Sequence, residues 1–154
     1  YKRQVKIEAN YVLGKAEFEA GNYAAALDYF FFVEAKSSGV IGAESHYHIA
    51  LIYHLQEDFS GSEEEVRSIV KTRGAYGYWV AKALILQAKN SMAIEDFVQA
   101  EYTINSVLKN YKTTDDGILA EAQVVYDMLM SLKSQEKDIQ NDNGGTIEIG
   151  DGND

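Results

Sequence analysis

Cysteine and proline are both absent from this sequence. Without cysteine there are no disulfides, no thiol nucleophiles and no thiolate zinc sites. Without proline, no helix interior carries the residue that most strongly breaks it, which suits a chain that is mostly helix. No apolar run approaches the ~20 residues that a membrane-spanning helix needs. Basic residues are few: 14 against 24 acidic ones, for a net charge of −10. That balance excludes broad affinity for nucleic acid or anionic lipid. There is no G-x-S-x-G elbow, no glycine-rich phosphate loop and no cofactor-binding motif, so the chain is not expected to be an enzyme. What is present is 154 residues, 46% hydrophobic and 25% charged, enough for one folded domain. The chain opens on Tyr1 and shows no signal peptide, and it reads as a piece of a longer or processed protein.

Two compositional zones follow. Residues 1–137 carry helical periodicity, whereas residues 138–154, DIQNDNGGTIEIGDGND, hold five acids, four glycines and no basic residue. This second zone reads as a flexible acidic tail. Two alternatives stay open for it. One is a strand over Thr146–Ile149 that adds to a neighbour's sheet. The other is a calcium loop using Asp142, Asp151 and Asp154, although no complete loop motif is present.

In the body the spacing predicts seven helices, at roughly 2–20, 24–37, 42–56, 61–72, 76–93, 98–111 and 116–136. Gly21-Asn22, Ser38-Gly39 and Gly42 mark breaks. Ser60-x-x-Glu63, Ser62-x-x-Glu65 and Asp96-x-x-Gln99 read as capping boxes, and Thr113, Thr114 and Asp115 as caps of the last helix. Short connections imply antiparallel neighbours, so the class is all-α.

One pattern recurs. Tyr23, Phe59 and Phe97 are spaced 36 and 38 apart, each after Asn22, Asp58 or Asp96. A small residue follows (Ala26, Ser62, Ala100), then a large one (Phe30, Val66, Ile104), then Val33, Ile69 and Val107. Leu13, Gly14, Gly21, Tyr23, Ala26 and Phe30 resemble the signature of the tetratricopeptide repeat. Residues Ile49–Tyr53 through Ser62 form a second unit with Glu57 in place of the glycine, and the third unit is degenerate in its first helix. The resemblance covers residues 4–137. It implies a right-handed α-solenoid of about three helix-turn-helix repeats with a capping last helix. The Ala43–Ala50 phrase also looks like bacterial cell-envelope repeat proteins, the helical lipoprotein of the β-barrel assembly machinery and the periplasmic coordinator of the Tol–Pal system. It implies a place on the periplasmic side, near the outer membrane.

The resemblance further implies a non-catalytic scaffold that holds a protein or peptide on its concave face. The first helices of the repeats would supply that face: Tyr11, Lys15 and Phe18, then Tyr47, His48, Leu51, His54 and Leu55, then Lys82, Ile85, Lys89 and Met92. Such a mixture suits a peptide with apolar anchors and acidic or polar groups. The two-carboxylate clamp of the chaperone-tail-binding members is not expected. Of its residues only Lys82 fits, with Tyr11, Lys15, His48 and Leu86 at the other positions. The alternative is a structural or self-associating segment of a larger envelope assembly protein. A third class, carbohydrate-capturing outer-membrane proteins, is much larger than this chain. No metal site is expected: His46, His48 and His54 point in different directions on one helix, and the one i,i+4 pair that could share an ion, Glu44 with His48, reads as a helix-surface hydrogen bond. Within Tyr29-Phe30-Phe31-Phe32, one of Phe31 and Phe32 should be less buried, and Trp79 reads as core at the junction of the second and third units.

Overall fold

A computed structural model describes residues 1–143. It contains seven helices: α1 (Lys2–Glu19), α2 (Tyr23–Lys36), α3 (Val40–Leu55), α4 (Phe59–Thr72), α5 (Gly77–Ala93), α6 (Phe97–Asn110) and α7 (Ile118–Asn143). There is no strand among the described residues. None of these helices is long and apolar enough to cross a membrane. Each helix packs on the next in sequence, and α3 also touches α5 as α5 touches α7. The odd-numbered helices α3, α5 and α7 are thus neighbours, with α4 and α6 packed between them on one side. The strand suggested at Thr146–Ile149, and the ligands suggested at Asp151 and Asp154, lie outside the described residues.

The recurring pattern in the sequence corresponds to a recurring turn. At the end of α1 the N–H of Gly21 donates to the Phe18 carbonyl (3.0 Å) and that of Asn22 to Glu17 (2.9 Å). Glu57 and Asp58 repeat this on His54 (2.9 Å) and Tyr53 (2.8 Å), and Glu95 and Asp96 repeat it on Met92 (3.1 Å) and Ser91 (2.8 Å). This paired arrangement ends a helix through one residue in the left-handed region. Gly21 has φ 78°, while Glu57 and Glu95 both have φ 61°. Two glutamates therefore hold a conformation that costs an L-residue roughly 1–2 kcal/mol. Glu57→Gly and Glu95→Gly are each expected to stabilise the fold by about 1 kcal/mol, a rise in Tm of about 2–4 °C. Thermal unfolding by circular dichroism checks this, and an unchanged or lowered Tm in both variants would contradict it.

Helix starts differ from the sequence expectation at α4 and α7. α4 begins at Phe59, capped by Asp58, whose carboxylate accepts from Gly61 N–H at 2.9 Å. Ser60 and Ser62 are inside the helix, and Ser62 is buried. Asp96 caps α6 as expected, accepting from Gln99 N–H at 3.1 Å. Asn22 makes no cap bond; its amide donates to Glu17 instead (2.7 Å). At α7 the helix starts after Gly117, whose carbonyl accepts from Glu121 N–H at 3.0 Å, and the side chain that meets its first N–H is Asp116, which accepts from Ile118 at 3.1 Å, rather than Thr113, Thr114 or Asp115. α7 also continues to Asn143, past the expected end at 136.

Three apolar clusters fill the helix interfaces. Ala26, Phe30, Ile49 and Ile52 form the first, Tyr47, Ala50, Val66, Ile69, Ala83 and Leu86 the second, and Ile85, Ala100, Ile104, Val107 and the Ile118/Ala122/Val125/Leu129 face of α7 the third. Gly14 is buried where a Cβ would lie 2.8 Å from the Phe30 ring, so its lack of a side chain sets the α1–α2 approach. Leu13, a signature position of the repeat resemblance, is 45% exposed. Phe31 is exposed and Phe32 half-buried, under Lys6.

A polar knot joins α2, α3 and α4. The Arg73 guanidinium, at the end of α4, donates to the carbonyls of Ser37 and Glu34 (both 2.9 Å) and to the Glu34 carboxylate (3.2 Å). His46 is 2% exposed. Its Nε2 lies 2.9 Å from Glu65 and its Nδ1 3.7 Å from Glu34.

Candidate functional site

The side chains expected on one wall come from α1, α3 and α5, and most of them meet. Tyr11 donates its hydroxyl to Glu44 at 2.7 Å, and the Lys15 ammonium lies 3.1 Å from the same carboxylate and over the Tyr11 ring. One turn along α1, Phe18 meets the edge of His48 at 5.1 Å, while Phe30 of α2 stacks against His48 at 5.0 Å. Tyr47 contacts His48 on one side and Trp79 on the other (5.7 and 5.5 Å), and Tyr78 meets Trp79 at 4.9 Å. The Lys82 ammonium sits over the Tyr47 ring and pairs with Glu121 of α7 at 2.9 Å, and Lys89 approaches Glu121 at 3.8 Å. An unbroken row of aromatic and charged groups thus runs from α1 across α3 and α5 to α7.

Local sequence explains the row. Residues four apart share a helix face, so Tyr11 and Lys15 project together, as do Glu44 and His48. Glu44, Lys82 and Glu121 stand 38 and 39 residues apart, close to the 36 and 38 that separate Tyr23, Phe59 and Phe97, and they meet or border the row from α3, α5 and α7. Their signs alternate. Each carboxylate can therefore bond a lysine from the neighbouring helix.

The electrostatics follow from burial and pairing. Burial pushes the His48 imidazole below its ordinary value, so the ring is neutral at pH 7. Its Nδ1 lies 2.9 Å from the Glu44 carbonyl, an acceptor, so Nδ1 carries the proton and Nε2 is left as an acceptor. The hydrogen bond to Glu44 raises Lys15. Burial works to lower Lys82, but Tyr47 and Glu121 outweigh it and hold the ammonium above its usual value. Lys15 and Lys82 are charged, and each is already matched by a carboxylate.

Not every expected residue joins the row. Ile85 is fully buried in the third cluster and Met92 packs beside it. Leu51 packs beside the second cluster, and Leu55 is exposed near the end of α3. His54 bonds Asn90 instead (2.7 Å), and Asn90 in turn donates to Ser62 at 2.9 Å, so this histidine ties α3 to α5. Leu86 is buried in the second cluster. Among the described residues, no three His, Asp or Glu side chains stand together as metal ligands would.

One open cleft adjoins the row and another lies away from it, on the α4/α6 side. One, of about 680 Å³, lies between α1 and the start of α3 and is lined by Ile7, Glu8, Tyr11, Ser38 and Val40. It extends the row past Tyr11. The other, of about 370 Å³, lies between α4 and α6 over Leu84 of α5, with Val66, Val70 and Tyr102 on its walls. The sequence pointed to neither Glu121 nor this second cleft. The 38–39 interval of Glu44, Lys82 and Glu121 is the signal that identifies the former. No protein-family model matches this chain, and none of the curated proteins matches it significantly.

Proposed function

We propose that this chain is a tetratricopeptide-type scaffold, a right-handed solenoid with α7 as its capping helix, that holds an extended peptide or protein segment along the row on α1, α3 and α5. The observation that carries this reading is the continuity of the row: Tyr11, Phe18, His48, Tyr47, Trp79 and Tyr78 follow one another across three helices, with Lys15 and Lys82 beside them. Rigid aromatic rings offer large contact area at low entropic cost. The threefold turn at Gly21, Glu57 and Glu95 supports the repeat reading. A cell-envelope location rests on the Ala43–Ala50 phrase alone.

The partner's chemistry follows from the pairing. Glu44 and Glu121 already neutralise the lysines, so a purely acidic segment gains little here. An apolar or aromatic anchor with hydrogen-bonding groups fits better. The test is selection of binding peptides from a random displayed library, followed by titration. Selected peptides should carry aromatic or aliphatic anchors and bind with little dependence on salt. Tyr11→Ala combined with Tyr78→Ala should weaken them by about tenfold or more. Tyr47 is unsuitable for this test because it is buried. Equal binding to the double variant would place the site elsewhere.

A further inference from the structure

The first and last helices carry matching unpartnered faces; the α1 face borders the cleft beside Tyr11 through Val12. On α1, Val5, Ala9, Val12 and Ala16 are all exposed and lie on one stripe, which Ala20 continues at the helix end. Val12 is 62% exposed. On α7 the exposed residues Ile139, Gln135, Leu132, Met128 and Val124 form a second stripe, distinct from the buried Ile118/Ala122/Val125/Leu129 face. Ile139 is 61% exposed. Taken in opposite directions along the two helices, both stripes step by four, three, four and four residues. α1 packs on α2, and α7 packs on α5 and α6, so the stripes belong to opposite ends of the helix array.

Charge identifies the occupant. α1 opens with Lys2, Arg3 and Lys6 and has no acid before Glu8; the last turns of α7 carry Glu136, Asp138 and Asp142 against Lys137. An antiparallel register that sets Val5 against Ile139 and Val12 against Leu132 also sets Ala16 against Met128 and Ala20 against Val124. Small residues then face large ones. The same register sets Lys2 against Asp142 and Lys6 against Asp138; it also sets Glu8 against Glu136 and Glu17 against Asp127, so the attraction is confined to the first turns of α1. Pairing of α7 with a second α7 in the register that sets Val124 against Ile139 and Met128 against Gln135 would instead bring Glu121 to Asp142 and Asp127 to Glu136, like charge on like with no compensating pair.

We propose that α7 of one copy packs antiparallel on α1 of the next copy, a head-to-tail contact between identical chains. Such a contact leaves one free face at each end, so it builds rings or open rows rather than a closed dimer. A single helix pair over about 22 Å is a small interface, so assembly depends on concentration and, through the Lys–Asp pairs, on salt.

The test is the solution mass of the 154-residue chain by sedimentation equilibrium across a concentration series. The unmutated chain should rise above its 17.2 kDa monomer mass and fall back toward it at high salt. Val12→Glu blocks the α1 face, and Leu132→Glu with Ile139→Glu blocks the α7 face. Each variant alone should stay monomeric. Mixed together they should form a one-to-one pair that grows no further, because each retains one working face. That pairing also requires both variants to be folded. Lys2→Glu with Lys6→Glu should weaken assembly, and Asp138→Lys with Asp142→Lys on the partner copy should restore it. A monomeric unmutated chain, self-association of the Val12→Glu variant through α7 alone, or a mixture that fails to pair while both variants show unaltered helical content would each overturn the proposal.

Discussion

Arg73→Met is expected to cost about 3–5 kcal/mol of unfolding free energy, the range for breaking one partner of a buried charged network. Arg73 is 7% exposed and lies in the α4–α5 connection, yet its guanidinium reaches back to the end of α2. There it satisfies the carbonyls of Glu34 and Ser37 and pairs with the Glu34 carboxylate. The last carbonyls of a helix have no intrahelical donor, so α2 is capped from a residue far along the chain. Methionine fills much of the volume but donates nothing. It leaves those acceptors unpaired and leaves Glu34 facing only His46. Lysine keeps the charge but not the planar fork, and should lose roughly half as much. Urea unfolding measures both variants. A loss below about 1 kcal/mol for Arg73→Met would mean that water replaces the guanidinium at little cost.

Gly42→Ala is the second large effect. Gly42 is buried in the first turn of α3, and a Cβ there would lie 2.1 Å from the Ser37 carbonyl oxygen and 2.9 Å from its carbon. Backbone atoms would have to move. The Ser37 carbonyl is the one held by the Arg73 guanidinium, so moving it also lengthens that bond. Overpacking and the disturbed hydrogen bond together should cost about 3 kcal/mol or more. The two sites should be coupled. In the Arg73→Met background the Ser37 carbonyl is free to shift, and the penalty for Gly42→Ala should fall by about 1 kcal/mol or more. Additive penalties in a double-mutant cycle would show that the crowding at Gly42 does not act through Ser37.

The helices were legible from the sequence because apolar spacing marks each of them and a turn signal falls near each break. Gly21, Glu57 and Glu95 sit at one repeat position and adopt one backbone conformation, and Tyr23, Phe59 and Phe97 open α2, α4 and α6. The errors at α4 and α7 arise where several candidate caps compete. Asp58 prevails over Ser60 and Ser62 because the turn shared with Asn22 and Asp96 places it first, and Ser62 is drawn into the core to meet Asn90. Gly42 read as a break, but it is a helical residue kept small by the end of α2 passing against it. Leu13 faces outward because Gly14, its neighbour, takes the contact with Phe30.

By itself, the sequence determined the all-helical class, the number and order of the helices and the 36–38 residue interval. These are set by neighbours within a few positions, and local periodicity records them. Tertiary structure alone decided which charges meet. Lys15 with Glu44, Lys82 with Glu121 and Arg73 with Glu34 are pairs 29 to 39 residues apart. Nothing in the local pattern distinguishes a lysine that waits for a ligand from one already neutralised. Only the approach of α1 to α3, of α5 to α7, and of the end of α4 to α2 brings each cation within reach of its carboxylate, and that approach is set by small residues and core packing rather than by the charges themselves.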